Sequence, residues 1–183
     1  MDRTAAWDAL SLRIEEPGLF RHSLAVEAIM RQLASTLDMD VDQWGMAGLV
    51  HDIDWERVKN NPKEHGLLAA EILENLEFDP TIVFAVKAHN PRHGIPRRRN
   101  IDKALYCADA AALFLIAAAL KKPDKRIASV DLPFLLDQHA DINFAVHADR
   151  NQIASCSLLG IGLEDFYALA LRAMTEIREE LGL

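Results

Sequence analysis

The sequence predicts an all-α protein, built as a single-domain helical bundle. Apolar residues recur every three or four positions along most of the chain, and no segment shows the alternating pattern typical of strands. Residues that favour helix starts stand where these patterns begin: Asp40 with Gln43 resembles a capping box, and Asp79 precedes Pro80. The chain has 183 residues and half of them are apolar, which is enough to bury one sizeable core.

Further helix boundaries are indicated by asparagine and proline. Asn61 before Pro62, with Glu64 in the first turn, predicts a helix start near residue 62, and Asn100 predicts another. The predicted helices cover residues 4–15, 19–37, 41–52, 62–76, 80–89, 101–121, 148–159 and 163–181. The segment 132–142 is predicted to form one more helix.

The charge and the cysteine content exclude several classes of function. The net charge is −8 at pH 7, whereas binding to a nucleic-acid polymer requires a basic face that neutralises phosphates. We therefore expect no nucleic-acid polymer as a partner, although a local cluster of cations or metals can still attract a small anionic substrate. Cys107 and Cys156 lie far apart among apolar residues, which predicts two buried thiols in a reduced, cytosolic protein.

Two segments bear on membrane targeting. The N-terminal residues lack the basic start and apolar run of a signal peptide, so none is expected. Residues 104–120 are strongly apolar but contain Asp109, and an aspartate at the centre of a bilayer costs about 2.5–3.5 kcal/mol on insertion scales. We therefore predict a central helix buried in the bundle, no membrane partner and a cytoplasmic location.

Several ionisable residues fall on apolar helix faces and are predicted to point inward. His22 and His65 are each followed by apolar residues at i+4, i+7, i+8 and i+11, the spacing of one helix face. His89 has apolar residues at i−7, i−4 and i−3, and Asp109 has them at i−4, i+4 and i+7. A single histidine in such a position is usually a core residue with one hydrogen bond. A buried aspartate is harder to explain in that way.

His51 and Asp52 stand side by side near the end of a predicted helix. Adjacent helical residues diverge by about 100°, so both can reach one point only close to the helix terminus. An unpaired buried carboxylate costs several kcal/mol, and no lysine or arginine lies within residues 105–120 to pair with Asp109. One or two divalent metal ions would satisfy all six inward-facing groups, and this is the predicted arrangement.

The mixed nitrogen and oxygen ligands suit certain metals. Imidazole with carboxylate fits Mn, Fe, Co, Ni or Zn, and carboxylates also accept Mg. Cys107 lies two residues from Asp109 and must therefore face elsewhere on the same helix, so no cysteine is placed as a ligand. A structural zinc site of the cysteine-rich kind is not expected.

The ordered ligand-type residues resemble those of the HD superfamily of metal-dependent phosphohydrolases. The set comprises His22, His51, Asp52, His65, His89 and Asp109. The "HDIG" variant of the motif is matched as His51-Asp52-Ile53, with Asp54 where glycine often stands. Segments such as RHSLAVEAIM and LVHDIDWE are also similar to those of small, poorly characterised bacterial HD proteins, and the resemblance covers roughly residues 17–183.

The resemblance implies a helical HD domain with two metal positions. It implies a single domain over residues 1–183, with a metal-binding core at about 17–121 and accessory helices at about 122–183. The first implied metal is held by His22, His51, Asp52 and Asp109. The second implied metal is held by His65 and His89 and shares Asp52. The chain departs from the family pattern at 111–113 and at 130–147, which leaves the substrate open.

The chemistry implied is hydrolysis of a phosphoester of a nucleotide or other small metabolite. Paired divalent ions would activate a water as hydroxide and neutralise the charge of the phosphoryl group. Asp54 or Glu56 is a candidate to relay a proton to the leaving group, the alternative being a solvated acid at a helix end. His139 and His147 lie outside the predicted site.

The loop after His89 is the densest positive cluster of the chain. Arg92 and His93 are candidates for binding the substrate phosphate, because guanidinium matches phosphate geometry. The alternative is a solvated loop whose arginines at 97–99 balance nearby acids. Two other functions also stay open: a di-iron oxygenase-like HD protein, and a non-catalytic regulatory module that binds a nucleotide. The sequence leaves the oligomeric state undetermined.

Overall fold

The architecture is helical, as predicted. A computed structural model describes residues 2–183, and in that range no β-strand occurs. The helices are α1 (Arg3–Ser11), α2 (Pro17–Thr36), α3 (Val41–Val50), α4 (Trp55–Val58), α5 (Leu67–Asn75), α6 (Pro80–His89), α7 (Asn100–Lys121), α8 (Leu132–Ala140), α9 (Arg150–Ala154), α10 (Leu163–Glu176) and α11 (Arg178–Leu181). Short 3-10 turns cover Pro91–His93, Ile127–Ser129 and Ser155–Leu159.

Several helix starts follow the predicted capping chemistry. The Asp40 carboxylate accepts a hydrogen bond from the N–H of Gln43 at 2.9 Å, and α3 begins at the next residue. The Asp79 carboxylate accepts from the N–H of Thr81 at 2.7 Å, ahead of Pro80 in the first turn of α6. Each cap satisfies a backbone donor that the helix cannot satisfy itself.

The predicted helix over 62–76 begins later than expected. Helix α5 starts at Leu67, and the preceding residues form turns, so the cap assigned to Asn61 and Pro62 is wrong. The reason is a carboxylate from elsewhere in the chain: Asp54 accepts from the N–H groups of Gly66 at 2.8 Å and Ala69 at 3.0 Å. The helix start is therefore capped by a tertiary contact that local sequence patterns do not indicate.

Two C-terminal predictions also need correction in their boundaries. The segment predicted as a helix over 148–159 consists of α9 followed by a 3-10 turn. The segment predicted over 163–181 breaks at Ile177, which separates α10 from α11. The helix predicted over 132–142 exists as α8.

Helix α7 runs through the middle of the protein. It is long and apolar enough to cross a membrane, but 61% of its most apolar stretch is buried inside the protein. The helical segments 150–159 and 163–176 are long and apolar enough to cross a membrane only if taken together, and the chain bends by 100° between them. Cys107 on α7 and Cys156 are both buried free thiols, as predicted. Burial raises the pKa of the Cys107 thiol, which keeps it protonated.

Helices α2 and α3 pack closely where α3 approaches the interior. A Cβ atom added at Gly48 would lie 2.9 Å from backbone atoms of Val26 and Glu27 on α2. Glycine is therefore required sterically at this crossing. The close contact places the end of α3 beside α2. Helix α6 ends at His89. The ring centroids of His51, the residue after α3, and His89 are 5.3 Å apart, so the C-terminal ends of α3 and α6 meet in the interior, where their dipoles favour a positive charge.

Candidate metal centre

His51 and His22 face each other across the contact between α3 and α2. His51 is fully buried, and its Nδ1 atom lies 2.8 Å from the carbonyl oxygen of Gly48. Because that carbonyl can only accept, Nδ1 carries the proton and Nε2 presents a lone pair. The Nε2 atoms of His51 and His22 are 3.1 Å apart, and His22 Nε2 is also 3.1 Å from Oδ1 of Asp109.

A second histidine pair lies on the other side of the centre. His65 Nδ1 is 2.9 Å from Oδ1 of Asp54, and His89 Nδ1 is 2.5 Å from the carbonyl oxygen of Val86. Both acceptors fix a proton on Nδ1, so each Nε2 atom presents a lone pair whenever its ring is neutral. These two Nε2 atoms are 3.0 Å apart. If both rings were neutral, their facing lone pairs would repel each other, so this contact requires either a proton on one Nε2 atom or a metal cation bound by both.

Asp52 lies between the two histidine pairs. Its Oδ1 atom is 3.4 Å from Nε2 of His51 and of His65, and 3.7 Å from Nε2 of His89. Its Oδ2 atom is 3.8 Å from Nε2 of His22. One carboxylate therefore approaches all four imidazoles; the bridging of two metals that the family resemblance implies for this residue stays a prediction.

Two compact groups of ligand atoms could each hold a metal ion. The first comprises His22, His51 and Asp52, and the second comprises Asp52, His65 and His89. Within each group the ligand atoms all lie within 4.8 Å of one another. Asp109 approaches the first group through its contact with His22. Its carboxylate is also 3.8 Å from Nε2 of His51. The donor set fits a divalent cation, because it mixes neutral imidazole nitrogen with anionic oxygen.

Burial disfavours the charged forms of His51, His89 and Asp52. It lowers the pKa of His51 to about 4, so this imidazole is neutral at physiological pH. Burial acts on His89 as well, but the carboxylates of Asp52 and Asp109 outweigh it and raise the pKa of His89 to about 9. Burial also opposes ionisation of Asp52, yet the neighbouring histidines hold the pKa of that carboxyl well below its ordinary value. Asp52 is therefore ionised, which is the form that coordinates cations.

Asp54 lies behind His65. It is fully buried, and its two oxygens are engaged by the His65 ring and by the N–H groups of Gly66 and Ala69. The alternative of a solvated acid at a helix end is therefore wrong for Asp54. A carboxylate hydrogen-bonded to the far nitrogen of a metal-binding histidine orients the ring and raises its basicity.

Glu56 is occupied elsewhere. Its Oε1 atom accepts from the N–H groups of Glu15 at 2.8 Å and Glu16 at 2.7 Å, just before α2 begins. These backbone donors lower the pKa of the Glu56 carboxyl. The side chain thus holds the link between α1 and α2, and its predicted role as a proton relay stays a prediction.

The loop after α6 is tied to the backbone of His65. The amide of Asn90 donates to the His65 carbonyl oxygen at 2.9 Å, and Nε2 of His93 lies 2.7 Å from the same oxygen. The side chain of Arg92 is exposed. The backbone N–H of Arg92 donates to Oδ1 of Asn90 at 3.1 Å. Sequence reasoning missed Asn90, although its position directly after His89 was an available signal.

The arginines at 97–99 contact acids and aromatic rings of the protein. Arg99 pairs with Asp102 at the start of α7, with nitrogen and oxygen 2.8 Å apart. The guanidinium of Arg97 lies over the ring of Tyr106, 3.6 Å from its centre. The Arg99 contact agrees with the alternative in which the loop arginines balance nearby acids, whereas the Arg97 contact is with an aromatic ring. Arg98 is exposed.

Two tryptophans near His51 and Asp52 contribute to packing, and two further histidines lie outside the metal centre. The ring of Trp55 meets that of His65 edge to face at 4.8 Å, and Trp44 is buried. His139 contacts the hydroxyl of Tyr167 at 2.7 Å, and His147 is exposed. Neither histidine belongs to the two ligand groups.

Comparison with known proteins gives one family and a set of partial relatives. The model of the family described as "HD domain" matches residues 19–123. Ribonuclease Y of Lawsonia intracellularis is 30% identical over 78 residues, which are 43% of this chain and 15% of that protein. Ribonuclease Y of Mycoplasma mycoides is 28% identical over 120 residues, 64% of this chain and 26% of that protein. Ribonuclease Y of Aliarcobacter butzleri is 33% identical over 87 residues, which are 48% of this chain and 16% of that protein.

These matches cover a limited part of each relative. The aligned region spans between 15% and 26% of the length of the three ribonucleases. No solved structure matches the chain.

Proposed function

This chain belongs to the HD domain family, and on that premise we propose that it is a metal-dependent hydrolase of small phosphoesters. The observation that carries the proposal is the position of Asp52, whose carboxylate oxygens lie within 3.8 Å of four imidazole Nε2 atoms. Three of those four rings have their Nδ1 atoms committed to acceptors of the protein. Such a set of imidazole Nε2 atoms directed at one carboxylate is suited to two bridged cations, once any Nε2 proton has been released.

The proposed cofactor is a pair of divalent ions, with Mn, Fe, Co, Ni, Zn and Mg as candidates. His22, His51, Asp52 and Asp109 would hold one ion, and Asp52, His65 and His89 the other. When bound, such ions lower the pKa of a water and neutralise charge on a phosphoryl group. The metal identity is left to measurement, because the donor set accepts several metals.

The protein's own residues have separable roles in this proposal. Asp52 stays ionised and joins the two halves of the centre. Asp54 holds the proton on Nδ1 of His65, which keeps Nε2 of that ring free for a metal. The exposed guanidinium of Arg92 is proposed to bind the substrate phosphate. His93 is proposed to assist it, although its Nε2 atom is already 2.7 Å from the His65 carbonyl oxygen.

The proposed substrate is a nucleotide or another small phosphorylated metabolite. The relatives are named ribonucleases, which supports RNA as a second candidate substrate for this chain. The net charge of −8 favours the small substrate, since a polymer adds repulsion at every phosphate that is not neutralised. A cytoplasmic location is part of the same proposal.

One experiment tests the proposal and separates its alternatives. The purified protein is analysed for bound metals and assayed with nucleoside monophosphates, p-nitrophenyl phosphate and a short RNA. Wild type is compared with Asp52→Asn, and with Glu179→Gln, which changes an acid with a side chain 89% exposed. We expect metal-dependent release of phosphate by wild type and Glu179→Gln, and at least a hundredfold loss in Asp52→Asn.

The other outcomes assign other functions. Cleavage of RNA without turnover of the small esters would support the ribonuclease candidate. Bound iron with oxygen-dependent turnover of a substrate that lacks phosphate would support the oxygenase alternative. Nucleotide binding without turnover would support a regulatory module. A wild-type protein that binds no divalent metal and behaves like Asp52→Asn would refute the proposal.

A further inference from the structure

The two oxygens of the Asp109 carboxylate have different partners. Oδ1 faces the metal centre, 3.1 Å from Nε2 of His22. Oδ2 points away from it and accepts a hydrogen bond from Nε2 of Gln152 at 3.2 Å. The Asp109 side chain is 20% exposed, so packing alone does not restrict its rotation as it restricts the fully buried His51 ring. The hydrogen bond from Gln152 therefore matters for which oxygen faces the histidines.

The orientation of the Gln152 amide is determined by a second contact. The same Nε2 atom lies 2.7 Å from the carbonyl oxygen of Tyr106, one turn before Asp109 on α7. A carbonyl oxygen only accepts, so the atom next to it must be the NH₂ group rather than the amide oxygen. An NH₂ group has two hydrogens, one for Tyr106 and one for Asp109. The donor toward Asp109 is therefore set by the backbone of α7.

Helix α9, which carries Gln152, is anchored on both sides of this residue. The carboxylate of Asp149 accepts from the N–H groups of Asn151 at 2.8 Å and Gln152 at 3.3 Å. The next residue, Ile153, is fully buried in the core. The amide of Gln152 is thus presented to Asp109 from a held position rather than from a loose loop. A donor on a rigid element orients a ligand more precisely than one on a loop.

We infer that Gln152 is a positioning residue of the metal centre, supplied by the part of the chain beyond the family match at 19–123. It holds Oδ2 of Asp109 so that Oδ1 faces His22 and His51. The inference rests on the proposed metal-dependent function. The C-terminal segment thereby completes the first metal position, which is formed by His22, His51, Asp52 and Asp109.

The test measures metal affinity rather than turnover. Gln152→Leu removes the donor and keeps much of the side-chain volume. Gln138→Leu is the matched control, because Gln138 is a buried glutamine of the same segment that accepts a hydrogen bond from Lys121 instead. Both are titrated with Mn²⁺ by calorimetry after chelator treatment. The titrations are repeated in a His65→Ala background, where the first metal position is the one left intact.

We expect Gln152→Leu to weaken Mn²⁺ binding about 10- to 100-fold in the His65→Ala background, the range for losing an outer hydrogen bond to a metal ligand. Gln138→Leu is expected to bind within about twofold of its parent. Circular dichroism establishes that each variant is folded. If Gln152→Leu does not fold, Gln152→Asn decides, since it keeps an amide but is one methylene too short to reach Asp109.

The opposite outcomes are equally clear. A folded Gln152 variant with the Mn²⁺ affinity of its parent overturns the inference, and so does an equal loss in Gln138→Leu. A wild-type protein that binds Mn²⁺ but cleaves no phosphoester refutes the proposed function alone. In that case the affinities of the variants still decide whether Gln152 positions Asp109.

Discussion

Nδ1 of His65 lies 2.9 Å from Oδ1 of Asp54, and the other oxygen of the same carboxylate caps the start of α5. A ligand-type histidine and the N-terminus of the helix that follows it are therefore held by one buried side chain. Asp54 lies two residues after Asp52, so the turn that carries the central carboxylate also carries the group that orients a second ligand. The proposed metal binding and the local stability are therefore expected to be coupled through this turn.

The first prediction concerns Asp54→Asn. The amide keeps the size of the side chain but loses the charge and one acceptor oxygen. We expect a loss of about 0.5–2 kcal/mol in the free energy of unfolding, as for other helix caps, and about 10- to 100-fold weaker binding of one metal. Chemical denaturation and Mn²⁺ titration measure the two effects. A variant with weakened folding but unchanged metal binding would show that Asp54 is a cap only.

The second prediction concerns the number of metals. Removing His65 leaves the group of His22, His51 and Asp52 intact, so His65→Ala is expected to bind about one metal where wild type binds two. Elemental analysis after gel filtration measures the ratio. His147→Ala is the control, because His147 is exposed and outside both ligand groups. An unchanged ratio in His65→Ala would contradict the assignment of a second metal to His65 and His89.

Much of the centre could be predicted because helix periodicity carries three-dimensional information. The apolar spacing around His22 indicates an inward side chain, and His22 is buried. For Asp109 the same spacing overstates burial, because its side chain is 20% exposed and Leu113 on the predicted apolar face is 39% exposed. Asp54 is different, because an acid just beyond a helix end is more often solvated than buried, and the pattern gave no sign of its burial. Gln152 gives no signal of this kind, since an amide is not a typical ligand and its partner lies 43 positions away. Tertiary partners of this kind become visible only in the folded structure.

The third prediction concerns the contact between α2 and α3. A methyl group at Gly48 would lie 2.9 Å from backbone atoms of Glu27, which cannot rotate away as a side chain can. Gly48→Ala is therefore expected to lose about 1–3 kcal/mol of stability, the usual range for overpacking, and to weaken metal binding by displacing His51. At Gly18 on α2 the nearest atom would be 3.5 Å away, an ordinary contact.

Gly18→Ala is the matched control for this prediction. The same methyl group is added there without a clash, and alanine favours the helix over glycine by about 0.5–1 kcal/mol. Thermal unfolding with and without metal separates the two variants. Equal stability of Gly48→Ala and Gly18→Ala would show that α3 can shift away from α2 without loss.

The last prediction concerns protons released on metal binding. The carboxylates of Asp52 and Asp109 overcome burial and raise the pKa of His89 to about 9, so without metal this ring is protonated at pH 7.5. The pKa of His51 is lowered to about 4 by burial, so this ring has no proton to release at that pH. A histidine must be neutral to coordinate, hence binding at pH 7.5 is expected to release protons and to become tighter as pH rises. Calorimetry of Mn²⁺ binding in buffers of different ionisation enthalpy counts the protons. In His89→Ala the count should fall by about one; a count equal to that of wild type would contradict the charged state assigned to His89.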